Sequence, residues 1–420
     1  MDRTKSITAF IDGIESSFDF FPTTGELIGV CDQLLEEHTQ LSPNELAAAI
    51  KGVSYYCLDE RLQHETRSRC FECIKAVMNP EIWEKLAEDL RAMLIQLRND
   101  QISSAGRLKS SKKFSLKPTK GFSLEEEKVR DKWQKNGGKQ SIPLFYVVLT
   151  HIKHRDISSN LWWITPGILN LIDDTTDLEG TKLQGFVLLR QFLTKSIDLT
   201  DTNHFDFANT GLFKMFDSSL KSLWYHFPPS TEPLLTARIW DLVFSTFIPL
   251  CKAQFAKDCA SYDLHISQFM SEILLQATLP RIAADHKNLT LQVLQYMEDI
   301  FDILGRKSVA HLQRIIFIIG EHLIRNAFIT LFMPLVHKVL STLTHLVDVC
   351  PEERVTAHKY DLLACALILS GKCHLEGTLD NETSSRLRKY LQALRQRGCT
   401  WDAEERKKLA LELPYSFELP

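Results

Sequence analysis

The stretch from Leu161 to Leu193 constrains the fold of this chain more than any other segment. It contains two apolar blocks of helical length, separated by a short turn that is rich in aspartate. Two amphipathic helices joined by a short turn pack against each other and bury their apolar faces. The segment therefore predicts a helical hairpin, which is the unit of stacked helical repeat proteins.

Helix signals recur along the rest of the 420 residues. Ser42-Pro43-Asn44-Glu45 is a capping box with Pro at the first helical position, and it predicts a helix that stops at Gly52. A second capping box, Ser123 to Glu126, predicts a helix that ends at Gly137-Gly138. Apolar stripes at spacings of three and four predict further helices, for example Leu291, Leu294, Met297, Phe301 and Leu304.

The glycine and proline content of the chain and the positions of its prolines favour one fold class. The chain has 17 Gly and 15 Pro, few for an all-β protein of this length, and no alternating run is long enough for a central strand. Prolines interrupt the helical pattern, among them Pro166, Pro249, Pro280 and Pro334. We predict an all-α fold, a degenerate HEAT-like α-solenoid of antiparallel helix pairs with units of about 40 to 47 residues. Compact irregular helical packing is the alternative.

One basic segment divides the chain into three parts. Residues 99–122 are rich in Ser and Lys and have almost no apolar periodicity, which predicts a linker between an N-terminal helical region, 1–98, and a C-terminal HEAT-like domain, 123–420. The basic residues are typical of a solvated linker; a nuclear-import or polyanion-binding patch is the alternative.

Net charge, cysteine content and hydropathy argue against several partners and compartments. A net charge of −4 provides no general attraction to nucleic acid or to an anionic membrane. Ten scattered Cys without a secretory signal indicate a reducing compartment and free, mostly buried thiols. The best candidate for a membrane span, 315–336, is interrupted by charged residues. We therefore expect a soluble, intracellular protein.

The acidic turn raises the possibility of an enzyme. Asp173, Asp174 and Asp177 match the DDxxD pattern with which all-helical isoprenoid synthases hold magnesium and a prenyl diphosphate. A second acidic set, Glu298, Asp299 and Asp302, has comparable spacing.

Three features favour a structural turn instead. The residues after Asp177 lack paired arginines for a diphosphate, the motif lies between two helices, and the second set has the pattern of a solvated helix face. Asp173 and Asp174 would then accept backbone N–H bonds at the start of the next helix, and Lys182 would close the turn electrostatically.

Cysteine and tryptophan residues form the remaining candidates. Cys57, His64, Cys70 and Cys73 are sufficient in number for structural zinc, but two Cys three apart on a helix more often share a buried face. Adjacent Trp162 and Trp163 point about 100° apart, so one belongs to a core and the other is a candidate for an interface. Gly185 lies on an apolar helix side, where it permits close helix approach, and Trp401 is a late apolar anchor or a docking residue.

The hairpin also resembles a known family. Pro166, Ile168, Leu169, Leu171, Ile172, Asp173 and Asp174, followed by Lys182, Gly185, Leu188 and Leu189, resemble the hallmark of the Tel-two-interacting protein two family. Trp162 and Trp163 adjoin this motif. The resemblance is specific over about 30 residues and diffuse from about Ser141 to Arg354.

The resemblance implies a HEAT-like solenoid without catalytic residues, cofactor or metal, the smallest subunit of the TTT complex. Its implied partners are the two larger TTT subunits and, indirectly, phosphatidylinositol-3-kinase-related kinases and the HSP-ninety chaperone machinery. The implied roles are in DNA-damage checkpoint, telomere and TOR signalling, in the cytoplasm and nucleus. From the net charge we expect no nucleic acid or membrane partner. The candidates for partner binding are Trp163, Arg325, Phe328 and Trp401.

Overall fold

The computed structural model describes residues 4–94, 102–109, 124–197, 204–283 and 285–412. Across these ranges the regular elements are helices, and the bridged extended residues are Ile102 and Leu108. The predicted all-α class is confirmed. The chain divides into two compact units, Met1–Tyr225 with Ser245–Gln254, and His226–Phe244 with Phe255–Pro420.

The first unit is built from ten helices within the described ranges. They are α1 (Thr4–Ser16), α2 (Thr24–Glu37), α3 (Pro43–Ser54), α4 (His64–Val77), α5 (Pro80–Met93), α6 (Leu124–Lys135), α7 (Ser141–His151), α8 (Ile157–Ile172), α9 (Leu183–Ser196) and α10 (Phe213–Trp224). Helices that follow each other in the chain pack as pairs, such as α8 with α9. Helices one position further along also lie side by side, as α2 with α4 and α7 with α9 do.

The second unit repeats this arrangement. The next helix, α11 (Pro233–Gln254), supplies residues to both units. The others are α12 (Cys259–Gln268), α13 (Leu279–Ile282), α14 (Lys287–Leu304), α15 (Leu312–Ile318), α16 (Met333–Val349), α17 (Glu352–Ala357), α18 (Lys359–Leu375), α19 (Asn381–Gln396) and α20 (Ala403–Glu412). Here α14 packs on α16 and α16 on α19, while α15 lies beside α18.

Side-chain hydrogen bonds between neighbouring helix pairs recur at a similar separation along the chain. This repeat could not be aligned from the sequence. Lys85 Nζ donates to Asn44 across 41 positions of the chain, and Lys338 Nζ donates to Glu298 across 40. His337 Nε2 lies 2.9 Å from Thr383 Oγ1, 46 positions away. The recurring offset is the length of one helix pair, so each unit has the helix-pair packing of an α-solenoid.

Local sequence determines several helix ends, but not all those predicted. At Ser42 the predicted capping box is present, since Ser42 and Glu45 exchange side-chain and backbone hydrogen bonds. Gly137 follows α6 with φ 75°, as its predicted end requires. Gly52, however, lies inside α3, where its missing side chain leaves room for Phe10 and Ile14. Ser123 lies outside the described residues.

Two prolines predicted to interrupt helices lie inside them. Pro166 is within α8 and Pro249 within α11. The residues around Pro166 are largely buried, and this packing outweighs the lost backbone hydrogen bond. The prolines at 280 and 334 occupy first-turn positions of α13 and α16, where no hydrogen bond is lost.

The predicted linker is described only in part. Residues 99–101 and 110–122 lie outside the described residues. Within 102–109, Gly106 has φ 73° and approaches the carbonyl oxygen of Leu161 so closely that a Cβ would clash with it. Leu108 N donates to Thr210 O at 3.0 Å. This short turn therefore packs on the first unit, and the linker boundaries stay a prediction.

One helix has the length and hydropathy of a membrane span. It is α11, and 56% of its apolar window is buried inside the protein. The sequence analysis named 315–336 instead and missed α11, because Pro249 suggested an interruption of its helical pattern. Burial of this window accounts for its hydropathy as that of a core helix.

Candidate functional site: an acidic turn and an apolar docking surface

The hairpin predicted from Leu161 to Leu193 is formed by α8 and α9. A turn at 173–177 and a π-helical turn, Leu178–Lys182, connect them. At Gly185 a Cβ would lie 2.9 Å from Ile172 N and 3.0 Å from Leu171 Cβ. The predicted close approach of the two helices is therefore present, and it depends on the absence of a side chain.

Asp174 is the buried centre of the turn. Its side chain is 1% exposed, and one carboxylate oxygen lies 2.7 Å from Arg130 Nη1. The other oxygen accepts hydrogen bonds from the backbone N–H groups of Thr176 and Asp177 and from the Thr176 hydroxyl. Burial alone would raise the pKa of Asp174, but these hydrogen bonds and the Arg130 charge lower it. Asp174 therefore holds the turn as an anion.

Asp177 is likewise engaged within the turn. Its carboxylate accepts from Gly180 N at 2.9 Å, which caps the π-helical turn, and lies 2.7 Å from Lys139 Nζ. Asp173, in contrast, follows the last residue of α8, and its side chain is exposed. Partial burial of its carboxyl group still raises its pKa, and this effect outweighs the lowering by the Lys182 charge. The prediction assigned backbone N–H contacts to Asp173 and Asp174; Asp174 and Asp177 make such contacts.

The second acidic set is paired within the second unit. Glu298 accepts hydrogen bonds from Lys338 Nζ at 2.6 Å and from Thr342 Oγ1 at 2.8 Å, and Asp302 lies 2.8 Å from His345 Nε2. These contacts join α14 to α16. Throughout the described ranges, no three His, Cys, Asp or Glu side chains have an arrangement that could hold a metal ion.

The candidate zinc ligands separate into a buried group and an exposed one. Cys57, Cys70 and Cys73 are buried together with Cys31, whose carbonyl accepts from Cys73 Sγ at 3.3 Å. Burial raises the pKa of the Cys57 thiol well above its usual value. His64 is exposed at the start of α4, with Nδ1 3.4 Å from Ser68 Oγ. The cysteines thus have the environment of core residues.

The tryptophans divide between core and surface. Trp163 is 4% exposed, its ring lies 5.4 Å from that of Phe145, and its Nε1 donates to Asn160. Trp162 is 49% exposed. Of the adjacent pair, the residue with a free surface is therefore Trp162, whereas the partner-binding prediction named Trp163. Trp401 is also buried, so it is an apolar anchor of this chain.

The first unit has a groove between α1, α3 and α5. Its volume is about 690 Å³, and its lining includes Phe18, Ala47, Lys51 and Asp89. Glu15, Lys85 and Glu88 also line it, and Lys51 and Asp89 pair with each other at 2.7 Å. The groove is therefore lined by both apolar and charged side chains.

A cluster of exposed apolar side chains lies in the second unit. Phe328 is 65% exposed, Leu331 68% and Leu375 78%. Lys372 Nζ donates to Asn326 O at 2.7 Å, and the Thr330 hydroxyl donates to Glu376, so the loop before α16 lies beside the end of α18. We call Phe328, Leu331 and Leu375 the C-terminal apolar surface. Clustered exposure of this kind is typical of a binding site.

The remaining predicted residues lie around these features. Arg325 is exposed in the same loop as Phe328 and pairs with Glu321 at 2.8 Å. Pro166 and Leu169 are in α8, where Leu169 is buried, and Lys182 ends the π-helical turn. Their roles as motif or partner-binding residues stay predictions.

Sequence reasoning missed Leu331 and Leu375, although a signal for Leu375 exists. Apolar residues of α18 are not confined to its buried side: Leu362 and Leu369 are buried, while Tyr360 and Leu375 are exposed. A helix that is apolar all round is expected to be covered on all sides. Its exposed side is therefore a sign of a surface that a partner covers.

The geometry defines a class of protein: an all-helical repeat protein with a buried, paired acidic turn in its first unit and a cluster of exposed apolar residues in its second. A family profile described as the Tti2 family matches residues 50–331, more than half of the chain. The TEL2-interacting protein 2 of Saccharomyces cerevisiae (strain ATCC 204508 / S288c) is 35% identical over 385 residues, which cover 89% of this chain and 90% of that protein.

The chain belongs to the Tti2 family, a family of non-catalytic complex subunits. The family match begins at residue 50, further towards the N-terminus than the resemblance noted from Ser141 onward. No solved structure matches the chain.

Proposed function

We propose that this chain is a non-catalytic scaffold subunit of the TTT co-chaperone complex. The observation that carries the proposal is the 35% identity to a protein named for its interaction with TEL2, over 89% of this chain. We extend that interaction to this chain, and with it binding to the two larger, helical subunits of the complex. Its role is to support the maturation of phosphatidylinositol-3-kinase-related kinases with the HSP-ninety chaperone system, in the cytoplasm and nucleus.

Helix-face burial is the proposed mechanism. The C-terminal apolar surface provides the anchor residues, and Arg325 beside it provides a polar rim. Large apolar side chains near the centre of an interface commonly contribute most of its affinity. A stable interface buries on the order of 1,600 Å², so the surface extends beyond these residues to neighbouring helix faces.

The acidic turn supports a scaffold rather than a diphosphate-binding enzyme. A magnesium site needs carboxylate oxygens that are free to coordinate the ion. Asp174 instead accepts from two backbone N–H groups and pairs with Arg130, and Asp177 pairs with Lys139. Magnesium binding there would have to break contacts that hold the hairpin together.

Affinity purification of the tagged chain under native conditions, followed by identification of the bound proteins, tests the proposal. We expect two large helical-repeat chains in amounts equal to the bait. Absence of both contradicts the proposal.

A further inference from the structure

The outer face of α19 is basic and lacks ionic partners. Arg388, Lys389 and Arg395 are exposed, and none of them forms an ion pair within the described part of the chain. Ser385, Gln392 and Gln396 are uncharged exposed positions around them, and the exposed acid of α19 within the described residues, Glu382, is paired with Arg386. The opposite face, which includes Leu387 and Tyr390, is buried.

The other basic residues of this region differ from these three. Arg386 pairs with Glu382 at 2.8 Å, and the Arg397 guanidinium donates to the carbonyl oxygen of Asp348. Those two contacts stabilise the ends of α19. The three unpaired cations are therefore a distinct set, which we call the basic stripe.

Adjacent helices in the second unit neutralise each other's charges. Lys338 on α16 pairs with Glu298 on α14 at 2.6 Å, and His345 lies 2.8 Å from Asp302. The helix that follows α19, α20, directs Glu405 to α18, where it contacts the Tyr360 hydroxyl and lies 3.9 Å from Lys359 Nζ. Glu405 is therefore engaged with α18 and not with the basic stripe, in contrast to the pairing between α14 and α16.

We propose that the basic stripe docks an acidic helix of a partner protein, which continues the charge pairing seen between α14 and α16. Arg388 and Arg395 are seven residues apart, which is about 10 Å along the helix. A partner helix with carboxylates two turns apart matches this spacing. Exposed pairs of this type set orientation and association rate more than affinity. The inference is independent of the C-terminal apolar surface.

The same observations disfavour nucleic acid and membrane as ligands. Tight binding to a duplex commonly uses about six to ten phosphate contacts, and anionic membranes attract clusters of about four to eight basic residues. The stripe has three, on a chain with a net charge of −4. No large apolar residue on the exposed face of α19, within the described residues, is available for insertion into lipid.

Fluorescence anisotropy with two synthetic helical peptides tests the proposal. The first peptide carries glutamates on one face at i, i+4 and i+7; the second has the same composition with the glutamates distributed around the helix. We expect the full chain to bind the first peptide more tightly, with an affinity that falls as salt rises. The triple variant Arg388→Glu/Lys389→Glu/Arg395→Glu should weaken that binding roughly tenfold.

A matched control separates the stripe from net charge. Lys252→Glu/Arg306→Glu/Arg354→Glu makes the same change of charge at exposed positions elsewhere, and it should leave the affinity for the first peptide near that of the unaltered chain. Equal binding of the two peptides, equal weakening by both triple variants, or tighter binding of a duplex DNA or of a phosphatidylserine vesicle overturns the proposal. The comparison of peptides on the unaltered chain does not depend on whether a variant folds.

Discussion

Among single residues, Asp174 shows how burial and charge determine a role. A carboxylate that is 1% exposed is costly unless each oxygen has a partner, and both oxygens of Asp174 do. The resulting network joins α6, through Arg130, to the turn between α8 and α9. The role of Asp174 in the motif is thus explained by the stability of the turn.

Substitution Asp174→Asn tests this role. It removes the charge that pairs with Arg130, so we expect a loss of about 3 kcal/mol in the free energy of unfolding near pH 7. The folded-state pKa of Asp174 lies below its ordinary value, so its contribution is complete above about pH 3.9 and declines as pH falls through the folded-state pKa. Urea denaturation between pH 7 and pH 3 measures the difference, which should shrink at the acidic end.

The neighbouring aspartate is the matched control. Asp173 is exposed and its pKa is raised, so its ionised form does not stabilise the fold. We expect Asp173→Asn to change the free energy of unfolding by less than about 0.5 kcal/mol. Equal losses from the two substitutions would contradict the assignment of the network to Asp174.

Only local contacts of these residues could be predicted. The capping box at Ser42 was evident because its partners are three positions apart. The pairing of Asp174 with Arg130 spans 44 positions and depends on how α6 packs, which no local pattern encodes. The exposure of Trp162 rather than Trp163 has the same origin, since both residues fit a helix equally well.

At the scale of elements, α8 and α9 approach each other closely at Gly185, and this contact restricts which residue can occupy that position. Gly185 faces backbone and Cβ atoms of α8 that cannot move aside as a flexible side chain can. The packing of the two helices therefore tolerates no added methyl group at this position.

Substitution Gly185→Ala should lower the free energy of unfolding by about 2 kcal/mol. The control is Gly29→Ala in α2, where nothing lies within 4 Å of the added Cβ. That change should raise the free energy of unfolding by up to about 1 kcal/mol, because Ala has the higher helix propensity. Thermal denaturation of both variants measures the contrast, and destabilisation by Gly29→Ala or none by Gly185→Ala would refute it.

Apolar periodicity correctly predicted that most of these elements exist and are helices. Some predicted interruptions of helices were wrong. Gly52 and Pro166 read as helix ends, yet both are inside helices because tertiary packing outweighs local preference. The hairpin was predictable because its helices and turn are contiguous. The exposed side of α18 was not recognised, since an apolar side of a helix reads as core until its neighbours are known.

Across the described residues, the repeat is evident in the contacts between helices and not in similar sequences of the repeated units. Inter-helix hydrogen bonds recur at offsets from 40 to 46 residues, while the residues that make them differ from one pair to the next. Sequence therefore indicated the length of the unit but could not align the units. Such an array stabilises itself by neighbour contacts and exposes a large surface.

A thermal shift assay distinguishes this scaffold from the enzyme alternative. We expect magnesium together with a prenyl diphosphate to leave the melting temperature of the chain unchanged, because Asp174 and Asp177 are already paired. Each ligand alone serves as the control. A joint stabilisation that Asp173→Ala abolishes would favour the enzyme.

Binding affinity for the two larger TTT subunits, measured with purified components, tests the central claim most directly. The variant Phe328→Glu/Leu375→Glu should weaken association about 30-fold or more while it keeps the melting temperature, because both side chains are exposed in the isolated chain. The control Leu234→Glu/Leu264→Glu alters equally apolar exposed residues outside the C-terminal apolar surface and should bind normally. Unchanged affinity of the first variant, or no association of the unaltered chain, would contradict the account.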